Sequence, residues 1–243
     1  MNDGTTTWKR CREFSRCGIR SLSMTGCIAL LLLSVVWLTV FVDAARAQGS
    51  PREQYIPVLC VTMGGKPTGA VTPVMVLFVK RDDARGLAVH FIDGPGRFSE
   101  KTQADTAQAI ARTARALGLS TDSWSVGLSV SERGVILEGD SLSAMVGLTV
   151  TAMAKGEVIP RDRVITGTVT FDGRIGPVGG VALKVTAAHQ AGLHMVLVPA
   201  TAHSKWKTPS LTQVLQVSSV RQAYQMLTAP QSSIARRSLA GVG

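Results

Sequence analysis

Cysteine is scarce in this 243-residue chain and unevenly placed: Cys11, Cys17 and Cys27 fall near the N-terminus, and Cys60 stands alone after them. One thiol cannot close an internal disulfide, so a fold built after residue 47 must rest on packing. Cys60 sits in the apolar run IPVLCVTM and reads as a buried strand residue rather than a nucleophile. The four histidines (His90, His189, His194, His203) show no ligand spacing such as H-E-x-x-H, so neither a metal nor a cofactor is expected. No G-x-x-x-x-G-K-[ST] loop or other nucleotide fingerprint occurs. Aromatic residues make up 5%, and the basic residues are dispersed rather than interleaved with them, which argues against a nucleic-acid partner. Acidic residues are the minority, 16 against 26 basic, for a net charge of +10. That excess supports either a solvated basic surface or a mild attraction to an anionic membrane face or an acidic polypeptide.

The one long apolar run is Cys27–Val42, CIALLLLSVVWLTVFV, preceded by Lys9, Arg10, Arg12, Arg16 and Arg20 and followed by Ala45-Arg46-Ala47. A basic flank, an apolar core of this length and a small-x-small site read as a secretory signal peptide over 1–47. The alternative is an uncleaved signal anchor that keeps the chain on the inner membrane through residues 27–42. Either way the remainder is expected to be exported, to the periplasm or beyond.

After a short linker at 48–54, the chain alternates strand and helix signals. Strands are expected at Tyr55–Met63, Ala70–Lys80, Gly86–Ile92, Trp124–Val130, Val135–Leu137, Val164–Phe171 and Met195–Pro199. SEKTQADTAQAIARTARALG carries Ala104, Ala107, Ile110, Ala111, Ala114 and Leu117 at helical spacing. LTQVLQVSSVRQAYQML reads as a short strand and a helix, and 229–243 as a small, basic tail. The expected class is α+β, a single mixed-sheet domain with packed helices over 55–228, without internal repeats.

The chemistry concentrates between Glu138 and Lys184. Ser141 stands where the turn-like tetrapeptide EGDS meets LSAMVGLTVTAMAK, an apolar run long enough for a helix. A serine there suits an ordinary N-cap, and equally a nucleophile, because unpaired N–H groups at a helix mouth stabilise an oxyanion. Lys184 lies in VALKVTAAHQAG on the stripe Val181, Lys184, Val185, Ala188. On an otherwise apolar face its amine either loses hydration and proton affinity, or snorkels to water.

The ordered motifs EGDS, VITGTVTFDGRIGPVGG, GGVALK and AGLHMVLVPA over some 60 residues resemble the proteolytic domain of the Lon proteases, which are Ser-Lys dyad peptidases. The likeness extends loosely from about residue 55 to 228. The EGDS spelling resembles the archaeal, membrane-associated branch more than the bacterial DGPS spelling. The resemblance implies that Ser141 is the nucleophile and Lys184 its base, and that Thr166 hydrogen-bonds the lysine. Beside them, Glu138 and Asp140 fix the turn or tune the lysine, and Gly179 and Gly180 permit close approach before the second helix. Ser143 is a decoy without the EGD context. A homo-oligomeric ring is also implied, as is membrane proximity.

The expected function is therefore an ATP-independent serine endopeptidase acting on exported or membrane-proximal polypeptides. Two other readings stand beside it: a non-catalytic peptide-binding module on the same fold, and a peptidase that depends on a partner or processes itself. Sequencing the N-terminus of the purified protein should return Gln48 if the signal is removed, whereas an intact Met1 would establish the anchor.

Overall fold

The computed structural model describes residues 51–202 and 211–230. The expected signal segment and the end of the tail lie outside the described residues. The described residues all fall within one compact unit.

A four-stranded sheet runs in the order β1-β2-β5-β3: β1 (Arg52–Val61), β2 (Gly69–Lys80) and β5 (Trp124–Val130) are antiparallel, and β3 (Ala88–Phe91) is parallel to β5. Strand alternation is plain in β2, where Thr72, Val74, Val76 and Phe78 face inward. β1 begins at Arg52, inside the stretch read as a linker. Two parallel ribbon strands, β4 (Arg97–Phe98) and β6 (Ile136–Leu137), lead into the first helix and into the EGDS turn.

Helix α1 (Glu100–Ala116) opens at Ser99, whose hydroxyl accepts from the Thr102 N–H at 3.3 Å. It packs along α2 (Ser143–Lys155), which is buried at every position from Ser143 to Met153. A helix apolar on all sides belongs at the centre of the molecule, and α2 lies there. The crossing is close because position 147 is glycine: a Cβ there would come within 2.5 Å of Thr113 Oγ1 and 3.1 Å of the Ala109 carbonyl.

The expected single strand Val164–Phe171 divides in two. β7 (Arg163–Ile165) joins the parallel sheet β11-β10-β7 with β10 (Met195–Pro199) and β11 (Gln213–Val217), while β8 (Thr168–Val169) turns away to form a hairpin with β9 (Ile175–Gly176). Residues 166 and 167 make the turn between them. Helices α3 (Val181–Gln190) and α4 (Val220–Thr228) complete the α+β domain.

Arg163, 1% exposed at the start of β7, locks α4 in place: its Nη1 donates to the carbonyls of Met226, Leu227 and Ala229. These are among the carbonyls that a helix end leaves without intrahelical donors. Arg163→Ala should lower stability to urea unfolding by about 3 kcal/mol, the usual scale for orphaning buried partners of a charged group.

Candidate active site

The turn before α2 places Ser141. Gly139 has φ +96°, the Gly139 carbonyl accepts from Thr102 Oγ1 at 3.2 Å, and the Asp140 carbonyl accepts from the Ser143 N–H at 3.0 Å. The helix starts at Ser143 rather than at Ser141, and Ser141 does not cap it. The cap position belongs to Leu142, which makes no side-chain capping bond and is 3% exposed. Leu142 plugs the core, leaving Ser141 half-buried just outside the helix mouth. Ser143 is buried in the first turn of the helix.

The turn is stitched to the β7–β8 connection. The Ser141 carbonyl accepts from the Gly167 N–H at 2.9 Å and from Thr166 Oγ1 at 3.4 Å, while the Ala144 N–H donates to the Gly167 carbonyl at 3.1 Å. Thr166 is 1% exposed, with its N–H on the Leu197 carbonyl at 3.0 Å. Its backbone still bonds β10 just past the end of β7, while its side chain turns to the Ser141 carbonyl.

Lys184 comes from the first turn of α3, where its N–H donates to the Gly180 carbonyl at 3.0 Å. Its side chain is buried, and Nζ donates to Thr166 Oγ1 at 3.1 Å. It does not snorkel. Burial pushes its pKa below that of an ordinary lysine, while the facing groups of Cys60 and Asp140 pull the other way. One threonine hydroxyl thus accepts from the amine and donates to the serine's carbonyl, joining Lys184 to the Ser141 turn.

The remaining expected residues separate. Asp140 both closes the turn through its carbonyl and acts electrostatically on Lys184. Glu138 is exposed, and among the described residues no ion pair or hydrogen bond links it to the lysine. Gly180 is structurally required: it caps α3 with φ +68°, and a Cβ would come within 2.6 Å of Val61 Cγ2. Gly179 has open space around its Cβ position and no such requirement.

Sequence reasoning missed two neighbours. Cys60, read as an inert strand residue, is half-buried on β1 and near enough to Lys184 for each to influence the other's titration; burial raises the thiol's pKa. Thr102 anchors the EGDS turn from α1. Neither could be found from spacing, because both act across the fold. Beside β6, a cleft of about 400 Å³ is lined by Phe91, Ile92, Phe98 and Ile136, with Arg97 and Glu100 among the polar residues of its wall.

A buried amine tied through a threonine to a serine turn at a helix mouth, on an α+β fold, suits the activation of a hydroxyl nucleophile. The family model for the Lon protease (S16) C-terminal proteolytic domain matches residues 99–230, and the chain belongs to that family. Its relatives include the Lon protease of Chloroflexus aurantiacus, 29% identical over 65% of this chain and 20% of that protein. They include also that of Desulforamulus reducens, 30% identical over 32% of this chain and 10% of the relative. The archaeal Lon protease of Archaeoglobus fulgidus is 38% identical over 26% of this chain and 10% of its own length. The chain spans at most about a quarter of the length of the curated relatives it matches.

Replacing Lys184 by methionine removes the amine while keeping most of the volume. Because folding buries this group against its preference for charge, the unfolded chain binds more protons, and wild-type stability should rise with pH up to the ordinary lysine range. Lys184→Met should melt at or above the wild-type midpoint near neutral pH and lose that pH dependence, as read by calorimetry across pH 6–10.

Proposed function

We propose that this protein is a serine endopeptidase in which Ser141 is the nucleophile and Lys184 its general base, and that hydrolysis by this site needs no ATP. The observation that carries the reading is the buried Lys184 amine held on Thr166, whose hydroxyl reaches the backbone of Ser141. In its neutral form the amine donates one N–H to Thr166 and keeps its lone pair for the Ser141 hydroxyl proton. Ser141 then attacks the substrate carbonyl, and backbone N–H groups at the start of α2 hold the oxyanion. Protonated Lys184 returns the proton to the leaving amine, and water completes deacylation along the same route in reverse. Thr166 orients the lysine and does not itself exchange the proton.

Substrates in this reading are loose, exported or membrane-proximal polypeptides, since a site without a coupled unfolding step meets a folded protein only where its chain is already open. A ring of copies is the assembly that family membership favours. Export and membrane attachment rest on the Cys27–Val42 run and its basic flank.

The test is cleavage of an unfolded protein by the purified chain, with and without ATP. Ser141→Ala and Lys184→Ala should each lower kcat/KM by at least a thousandfold while circular dichroism stays unchanged. Undiminished cleavage by the double variant would overturn the assignment. Activity should also rise with pH as the amine loses its proton, with a midpoint below the ordinary lysine pKa because Lys184 is depressed by burial. A flat kcat/KM profile from pH 6 to 10 would remove Lys184 as the base.

A further inference from the structure

Away from the Ser141 turn, the tip of the β8–β9 hairpin exposes an aromatic ring among arginines. Phe171 is 76% exposed although the turn that carries it is well fixed: the Thr170 N–H donates to the Arg174 carbonyl at 3.0 Å, and the Gly173 N–H to the Thr170 carbonyl at 3.1 Å. The turn and the start of β9 are also fastened to the residues around the beginning of α4. The Val220 N–H donates to the Gly173 carbonyl at 3.0 Å, and the Ile175 N–H to the Ser218 carbonyl at 3.0 Å. The exposure of Phe171 is therefore a property of the fold.

Four arginines from three elements meet there. Arg115 on α1 lies over the Phe171 ring at 4.9 Å, and Arg112, one turn earlier, donates to the Val169 carbonyl at 2.9 Å. Arg174 stands on the hairpin, and Arg221 on α4 donates to the Ala116 carbonyl at 3.3 Å, near the point where Gly173 touches Ala116. The acidic residue of the turn, Asp172, is engaged by Arg174 at 3.0 Å and by Thr170. The patch keeps a net positive charge around a projecting apolar ring.

We propose that this tip docks on an anionic phospholipid surface, with Phe171 entering the headgroup layer and Arg112, Arg115, Arg174 and Arg221 facing lipid phosphates. Four arginines beside one exposed ring match in charge a surface of lipid phosphates over an apolar layer, which takes the guanidinium groups and the ring together. Each basic side chain at such a surface strengthens binding about fivefold, and the buried ring adds about tenfold. The surface is separate from the Ser141–Lys184 pair and stands or falls apart from the peptidase reading.

The experiment uses the full chain and amide hydrogen exchange of residues 168–176 in three conditions: buffer, phosphatidylcholine vesicles, and vesicles with one third phosphatidylglycerol. Whatever the Cys27–Val42 run contributes is common to both vesicle types, so the contrast between them reads the hairpin. Exchange should slow several-fold only on the anionic vesicles, and the slowing should vanish in 0.5 M salt and in the Arg115→Glu/Arg174→Glu variant. Phe171→Ser, which leaves the charges in place, should weaken it about tenfold at an unchanged melting midpoint. Equal slowing on neutral vesicles would overturn the proposal. So would slowing that grows with protein concentration without lipid, which would make the tip a contact between copies.

Discussion

A lysine amine enclosed by protein is the constraint on which the rest of the site depends. Charged, it would cost several kcal/mol in lost hydration, offset in part by the Thr166 oxygen and by the charges of Cys60 and Asp140. The fold tolerates Lys184 because burial shifts it toward the neutral form, and that neutral form is the one able to take a proton. The cost of enclosing the amine and its capacity as a base are two aspects of one placement.

Holding that amine requires three segments to close on one another. α3 must begin tightly against β1, which Gly180 permits by leaving Val61 room and accepting a left-handed backbone. The chain must leave β7 abruptly so that Thr166 points its hydroxyl at the amine and Gly167 pairs with the Ser141 turn. The Ser141 turn must stay outside α2, which buried Leu142 ensures by occupying the cap position itself. Buried Thr102 on α1 holds the turn from within the fold through the Gly139 carbonyl, and Asp140 closes it on the exposed side.

Much of this was legible in the residues. The strand Trp124–Val130, the continuous apolar strand Met195–Pro199 and the α1 helix follow from alternation, unbroken apolarity and helical spacing respectively, which report burial directly. Val164–Phe171 misled because its apolar content is continuous while its backbone changes sheets at Thr166-Gly167. Hydropathy records that a segment is buried and not which sheet buries it. The cap falls on Leu142, one residue after Ser141, for a related reason: serine is the better cap by type, but the need to bury Leu142 outweighs that preference.

The sequence by itself determined the α+β class and the apolar character of the helices next to Ser141 and around Lys184, since composition and spacing are local quantities, while the pairing of those two residues came from the ordered motifs that resemble the Lon proteolytic domain. Only the tertiary structure decided that the lysine is enclosed instead of snorkelling, that Thr166 joins it to the serine turn, and that Cys60 and four arginines from three elements gather where they do. Those outcomes depend on which distant segments are brought within a few ångströms of one another, and proximity across a fold leaves no period in the chain.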